Sequence, residues 1–217
     1  MGVLEVVAPS LTVVVRGNAR WMMWNTLLAW VPVVLACGLF RGGADRRPLR
    51  PPLWWAGFVL FALFLPNAPY VVTDLVHLRD DVLLAGGDGA VVTVVLPVYA
   101  MFIGSGFLAY YLALAGLRRY LGHIGRAQWR GRVTVAAHAL CAVGIFLGRW
   151  ARLNSWEPVV NPHSAFERTV LQLSWNWAPM LILATFLVVW IGHFVTGAVV
   201  GAAWDAALRG ARRLRVL

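Results

Sequence analysis

Apolar residues in this chain gather into five long blocks, at about residues 21–40, 53–72, 91–117, 133–153 and 178–204. None shows the short apolar/polar alternation that a half-buried strand requires. Crossing roughly 30 Å of hydrocarbon takes about 20 helical residues at ~1.5 Å each, so every block is long enough to span a bilayer. A helix also satisfies its own backbone groups where no water can. The pattern predicts an all-α membrane protein: a single five-helix transmembrane bundle over residues 21–204, between an N-terminal tail at 1–20 and a basic cytoplasmic tail at 205–217. Residues 3–15 are apolar but carry Glu5 and Pro9, and Arg16 and Arg20 follow them. They read as a tail lying in the interface, not as a cleavable leader, whose positive charge would come first.

Two block ends carry most of the polar residues. The second block contains Pro66 and Pro69. Each removes an N–H and clashes with the turn before it, which predicts a break or kink that Asn67 helps to satisfy. If a helix resumes at Pro69, then Tyr70, Thr73, Asp74 and His77 form one polar stripe at i, i+3, i+4 and i+7. The fourth block ends in Arg149 and Arg152, three apart and on one face, followed by Asn154, Trp156 and Glu157. An arginine at that depth needs an anion, and the expected partner of Arg149 or Arg152 is Asp74. Beyond Pro162, Ser164 and Glu167 have capping-box spacing, and Phe166, Val170, Leu173 and Trp177 recur at helical intervals. This predicts an amphipathic interfacial helix before the fifth span.

Composition changes the picture in one respect. With 60% apolar and 13% charged residues, a water-soluble core is excluded. A formal charge of +10 would suggest nucleic acid in a soluble protein, but the arginines follow the spans instead. There is no lysine, and 13 of the 19 Arg lie between blocks one and two, between three and four, or after five. The positive-inside rule makes that side cytoplasmic, so the N-terminus is outside and the C-terminus inside. Tryptophan agrees: Trp21, Trp24, Trp150, Trp156, Trp175 and Trp177 fall at the predicted outer boundary, and Trp54, Trp55, Trp129 and Trp204 near the inner one. Gly197 with Gly201, and Gly104 with Gly106, are candidate close-packing positions. Cys37 and Cys141 are too few for a disulfide framework.

The segments Trp24-Asn-Thr-Leu-Leu-Ala-Trp-Val-Pro32, Pro66-Asn-Ala-Pro-Tyr through Asp74 and His77, and Gly148-Arg-Trp-Ala-Arg-Leu-Asn-Ser-Trp-Glu157 together resemble the bacterial membrane-protein family catalogued as domain of unknown function 1361. The resemblance covers about residues 21–204. It departs at Leu153, where the family commonly has Trp, and at Glu157, where it has Asp. It implies a multi-pass protein of the bacterial cytoplasmic (inner) membrane and supplies no activity.

The candidate site is therefore an extracytoplasmic polar cluster of Asn67, Tyr70, Asp74, His77, Arg149, Arg152, Asn154 and Glu157. The first reading is an envelope accessory or assembly function, with the bilayer and its headgroups or other membrane proteins as partners and no nucleic acid. The second is an outer-face enzyme on a lipid-linked or envelope substrate, with Asp74 and His77 as acid and base and Arg149 and Arg152 holding a phosphate. Asp74, His77, Glu157 and His163 are acceptable ligands for a divalent metal, although no cofactor is predicted from any recognised motif. The third reading is a small transporter, with His138 and His193 as midspan titratable groups. Each of these is expected to be a helix-to-helix hydrogen-bond donor before a proton relay.

Overall fold

The computed structural model describes residues 3–41, 50–85, 87–154 and 156–214, with side chains from Gly17 onward except at 151 and 212–214. Arg46, Arg47 and Arg215, part of the arginine pattern, lie outside the described residues. Every regular element among the described residues is helical. Five stretches are long and apolar enough to cross a membrane: Gly17–Leu39, Pro52–Leu84, Asp88–His123, Ala127–Trp150 and Ala178–Ala211. The chain is a multi-pass integral membrane protein with the five spans that the apolar blocks predict.

The first span belongs to α1 (Val3–Leu39), a continuous helix that includes most of the stretch expected to be a tail. The second is composite: α2 (Pro52–Phe64), α3 (Asn67–Tyr70), a 3-10 stretch Val71–His77 and α4 (Leu78–Leu84). The third begins with α5 (Asp88–Ala90) and a π-helical stretch Val91–Val95 and continues as α6 (Leu96–His123). The fourth is α7 (Arg130–Phe146), closed by a π-helical turn Leu147–Ala151. Two short helices, α8 (Glu157–Val160) and α9 (Pro162–Leu173), precede the fifth span, α10 (Ala178–Leu214).

Helix α6 lies at the centre, packed against α1, α3, α7 and α10. Its buried residues include Phe102, Ala109, Tyr110, Ala113, Leu114 and Leu117. They meet Ala29 and Ala36 of α1, Phe61 of α2, Cys141 and Ile145 of α7 and Val189 of α10 in one core cluster. Tryptophans group at the span ends as expected. Trp175 and Trp177 lie 4.7 Å apart with Trp150 beside Trp177 at 5.7 Å, while Trp54 stacks near Tyr120 and Arg50 at the opposite end.

The break in the second span is seated by glycines. A Cβ on Gly106 of α6 would run into Val71 and the Ala68 carbonyl. A Cβ on Gly144 of α7 would come within 2.6 Å of Pro66, and one on Gly148 within 3.2 Å of the Tyr70 ring. Lipid supplies no hydrophobic drive between helices, so close backbone approach is what holds the broken segment in place. Ala68, Pro69 and Val71 are buried as a result. The small-residue expectation was half right. Gly106 and Gly197 make close approaches, the latter to Tyr111, but nothing lies within 4 Å of a Cβ on Gly104 or Gly201.

Two local expectations are corrected. The segment after Tyr70 winds as a 3-10 helix, at about three residues per turn. Val71, Asp74 and His77 therefore share one face and Tyr70 and Thr73 another, so the single stripe expected from α-helical spacing is split. The capping box at Ser164 and Glu167 does not form either. The helix starts two residues earlier at Pro162, which suits a first turn because it has no N–H to leave unpaired. Ser164 then donates its hydroxyl to the Asn161 carbonyl at 3.2 Å, and Glu167 faces His163 one turn away at 3.7 Å. The amphipathic helix itself is present as α9, with Phe166, Val170 and Leu173 exposed.

Candidate functional site: a polar-mouthed cavity at the helix break

The break, the end of the fourth span and the start of the first meet at one end of the bundle and enclose a cavity of about 410 Å³. Chain direction orders its wall. On α1, Asn25 precedes Leu28; on the second span, Ala62 and Leu63 precede Pro66, Asn67 and Tyr70; on the fourth, Leu140, Val143 and Leu147 precede Arg152 and Asn154. In all three spans the apolar lining is the deeper part and the polar lining is nearer the bundle end. Trp24 and Trp156 line the same space, and Thr169 contributes from α9.

Arg152 stands out within this wall. It has φ 51°, ψ 36° and is the sole non-glycine residue with positive φ among the described residues. A left-handed conformation costs an ordinary L-residue roughly 1–2 kcal/mol, and such strain gathers at functional sites. The π-helical turn before it has the same association. Together they end the fourth span and bring Arg152 to the cavity wall, where it makes no ion pair or hydrogen bond to any described residue. It is the sole charged residue of the lining, and no carboxylate shares the wall.

Both nearby carboxylates are engaged elsewhere. Asp74 is buried and accepts a hydrogen bond from Asn25 Nδ2 at 2.8 Å. Glu157 accepts from Asn154 Nδ2 at 3.2 Å and faces Arg168 of α9 at 3.7 Å. The expected ion pair between Asp74 and Arg149 or Arg152 is thus not made. Asp74 instead reaches Asn25 of α1, and Arg152 lies on the cavity wall. Arg149 stays near enough to attract Asp74 through space without pairing with it.

Of the predicted cluster, Asn67, Tyr70, Arg152 and Asn154 line the cavity, Asp74 and Glu157 each bond to an asparagine on its wall, and His77 packs its ring on Trp21 at 5.0 Å. Asn67 Nδ2 donates to the Phe64 carbonyl at 3.1 Å, whose usual helical donor, the Ala68 N–H, bonds the Leu65 carbonyl at the break. The four candidate metal ligands are not brought to one point. His163 is an exposed residue of α9 beside Glu167, and among the described residues no three His, Cys, Asp or Glu side chains converge.

The residues that sequence reasoning missed are mostly on α1. Asn25 was passed over, and so was a second network in which Asp81 accepts from Asn18 at 2.6 Å and from Tyr99 at 2.7 Å, while Trp21 donates to Asn18 at 2.9 Å. Asn18, Trp21 and Asn25 fall at i, i+3 and i+7, a polar stripe in an otherwise apolar span. That spacing was the available signal. Midspan, the Tyr110 hydroxyl bonds His138 Nδ1 at 2.7 Å between α6 and α7, as expected of a helix-to-helix contact. His193 packs against Tyr110, Tyr111 and His138, and its buried Nδ1 has no partner.

Residues 24–191 match the model of a family described as a protein of unknown function, DUF1361, and the chain belongs to that family. No curated protein and no solved structure is matched.

Proposed function

We propose that this member of a family without an assigned activity binds the anionic headgroup of a membrane amphiphile at the extracytoplasmic end of the bundle, as an envelope accessory protein of the bacterial cytoplasmic membrane. The single observation that carries this reading is the charge of the cavity wall: one cation, Arg152, and no carboxylate. An arginine on a cavity wall without a carboxylate favours an anion, and its guanidinium fork suits a phosphate. The apolar lining deeper in the cavity suits a chain attached to that phosphate. Arginine asymmetry supports the orientation, because the cavity lies at the end away from the basic loops.

An enzymatic reading has less support. Asp74 is committed to Asn25 and His77 to Trp21, and neither lines the cavity. The arrangement favours holding a headgroup over transforming it.

The test is native mass spectrometry of the protein released from lipid nanodiscs containing phosphatidic acid and an uncharged diacylglycerol. Wild-type protein should retain the phosphate lipid selectively. Arg152→Gly keeps the left-handed turn without strain and removes the charge, and should lower retention at least about tenfold, the weight of a hydrogen bond to a charged group. Equal retention by the two proteins contradicts the proposal.

A further inference from the structure

Two carboxamides on the cavity wall are already engaged on one side. Asn25 Nδ2 donates to Asp74 at 2.8 Å, and Asn154 Nδ2 donates to Glu157 at 3.2 Å. A carboxylate only accepts, so in each pair the nitrogen must face it, and the orientation of both amides is fixed by the partner. Each side chain keeps one N–H donor and its Oδ1, an acceptor, for other contacts. No described residue donates to either oxygen. The wall therefore sets two hydrogen-bond acceptors, from different spans, beside the Arg152 cation.

That combination is poorly matched to a bare phosphate monoester, which is itself almost entirely an acceptor at neutral pH. Such a ligand would satisfy Arg152 and leave both amide oxygens to water. A ligand that uses those oxygens in place of water brings donors of its own. An ammonium would be one kind, but it would sit beside Arg152 with no carboxylate on the wall to balance it. Hydroxyls donate without adding charge. Trp24 and Trp156, 56% and 42% exposed, border the same cavity and offer indole faces to the C–H surface of a hydroxylated ring.

We infer that the ligand is a phosphate amphiphile whose headgroup carries hydroxyls next to the phosphate, a sugar or polyol phosphodiester. Arg152 takes the phosphate, Asn25 and Asn154 accept from the hydroxyls, and the two indoles flank the ring. This rests on the anionic-amphiphile reading above and narrows it.

The experiment loads nanodiscs with phosphatidic acid, phosphatidylethanolamine or phosphatidylinositol of matched acyl chains, and in a fourth arm with a sugar linked through phosphate to a polyprenyl chain. Retention on the intact protein is read by native mass spectrometry. One or both hydroxylated lipids should be held at least about tenfold better than phosphatidic acid or phosphatidylethanolamine, and the better of the two identifies the chain type. Asn154→Ala, on an exposed segment where folding is least at risk, should cut that preference several-fold; an unchanged preference overturns the inference. Phosphatidylethanolamine held as well as the hydroxylated lipids overturns the inference. So does phosphatidic acid held equally well in a manner that Arg152→Gly abolishes, an outcome that leaves the anionic-amphiphile reading standing. If no phosphate lipid is retained, or Arg152→Gly changes nothing, both fail.

Discussion

Two polar regions lie at the same end of this bundle, and they are built in opposite ways. Around Asp81 the side chains close on one another: Asn18 and Tyr99 both donate to Oδ2 of the carboxylate, and Trp21 donates to Asn18. Around the cavity the groups are only half used, with Asn25 and Asn154 engaged through their nitrogens and Arg152 through nothing described. Unpaired polar groups away from water are costly, so a closed network needs no further explanation than holding helices together. Arg152 is exposed and water can solvate its charge, but the left-handed turn that presents it is strained, and a ligand is a natural reason for keeping that turn.

The sharpest way to break this comparison is to remove the centre of the closed network. Asp81→Ala leaves the Asn18 and Tyr99 donors buried without a partner and should lower stability by about 3 kcal/mol, read as a fall in thermal unfolding temperature in detergent. A change too small to detect there would mean that the network is not structural. Next in size is the seat of the helix break. Gly106→Val pushes against Val71 and the Ala68 carbonyl and should cost ~1–3 kcal/mol, whereas Gly201→Ala, with nothing within 4 Å, should be neutral in the same assay. Comparable losses from both would show that the break is not held by close approach.

Smaller effects sharpen the contrast. Tyr110→Phe deletes the hydroxyl bonded to His138 and should cost about 1 kcal/mol with lipid retention unchanged. Arg152→Gly should do the reverse, keeping stability or raising it by roughly 1 kcal/mol through relief of the left-handed strain while retention falls. A loss of stability on that substitution would return Arg152 to the structural class. The topology carries a further consequence: in Ser164→Cys, an impermeant thiol reagent added outside intact cells should label the introduced cysteine. Labelling from the cytoplasmic side alone would reverse the orientation.

The large features of the fold were legible because they depend on local signals. Apolar runs long enough to span a bilayer marked the five helices, Pro66 and Pro69 marked the break, and the arginine-tipped end of the fourth block led to the same bundle end as Asp74. Rotation about a helix axis is not a local signal. Whether the stretch after Tyr70 winds as α or 3-10 decides which way Asp74 points, and packing against Gly106 has more influence there than the apolar pattern. The Asp74 partner was sought among arginines on charge alone, and the shorter reach to Asn25 on α1 won. Asp81 has no local signal either, because its partners, Asn18 and Tyr99, are 63 and 18 residues away in sequence. The left-handed turn at Arg152 had no signal, since glycine or asparagine is the usual residue there.

The most direct measurement is a structure of the protein in lipid nanodiscs made from a native membrane extract. The account predicts elongated density in the cavity, its head against the Arg152 guanidinium between Trp24 and Trp156 and its tail running past Leu28, Leu63 and Leu140. A cavity empty of lipid, with Arg152 turned away and paired to Asp74 or Glu157, would contradict it.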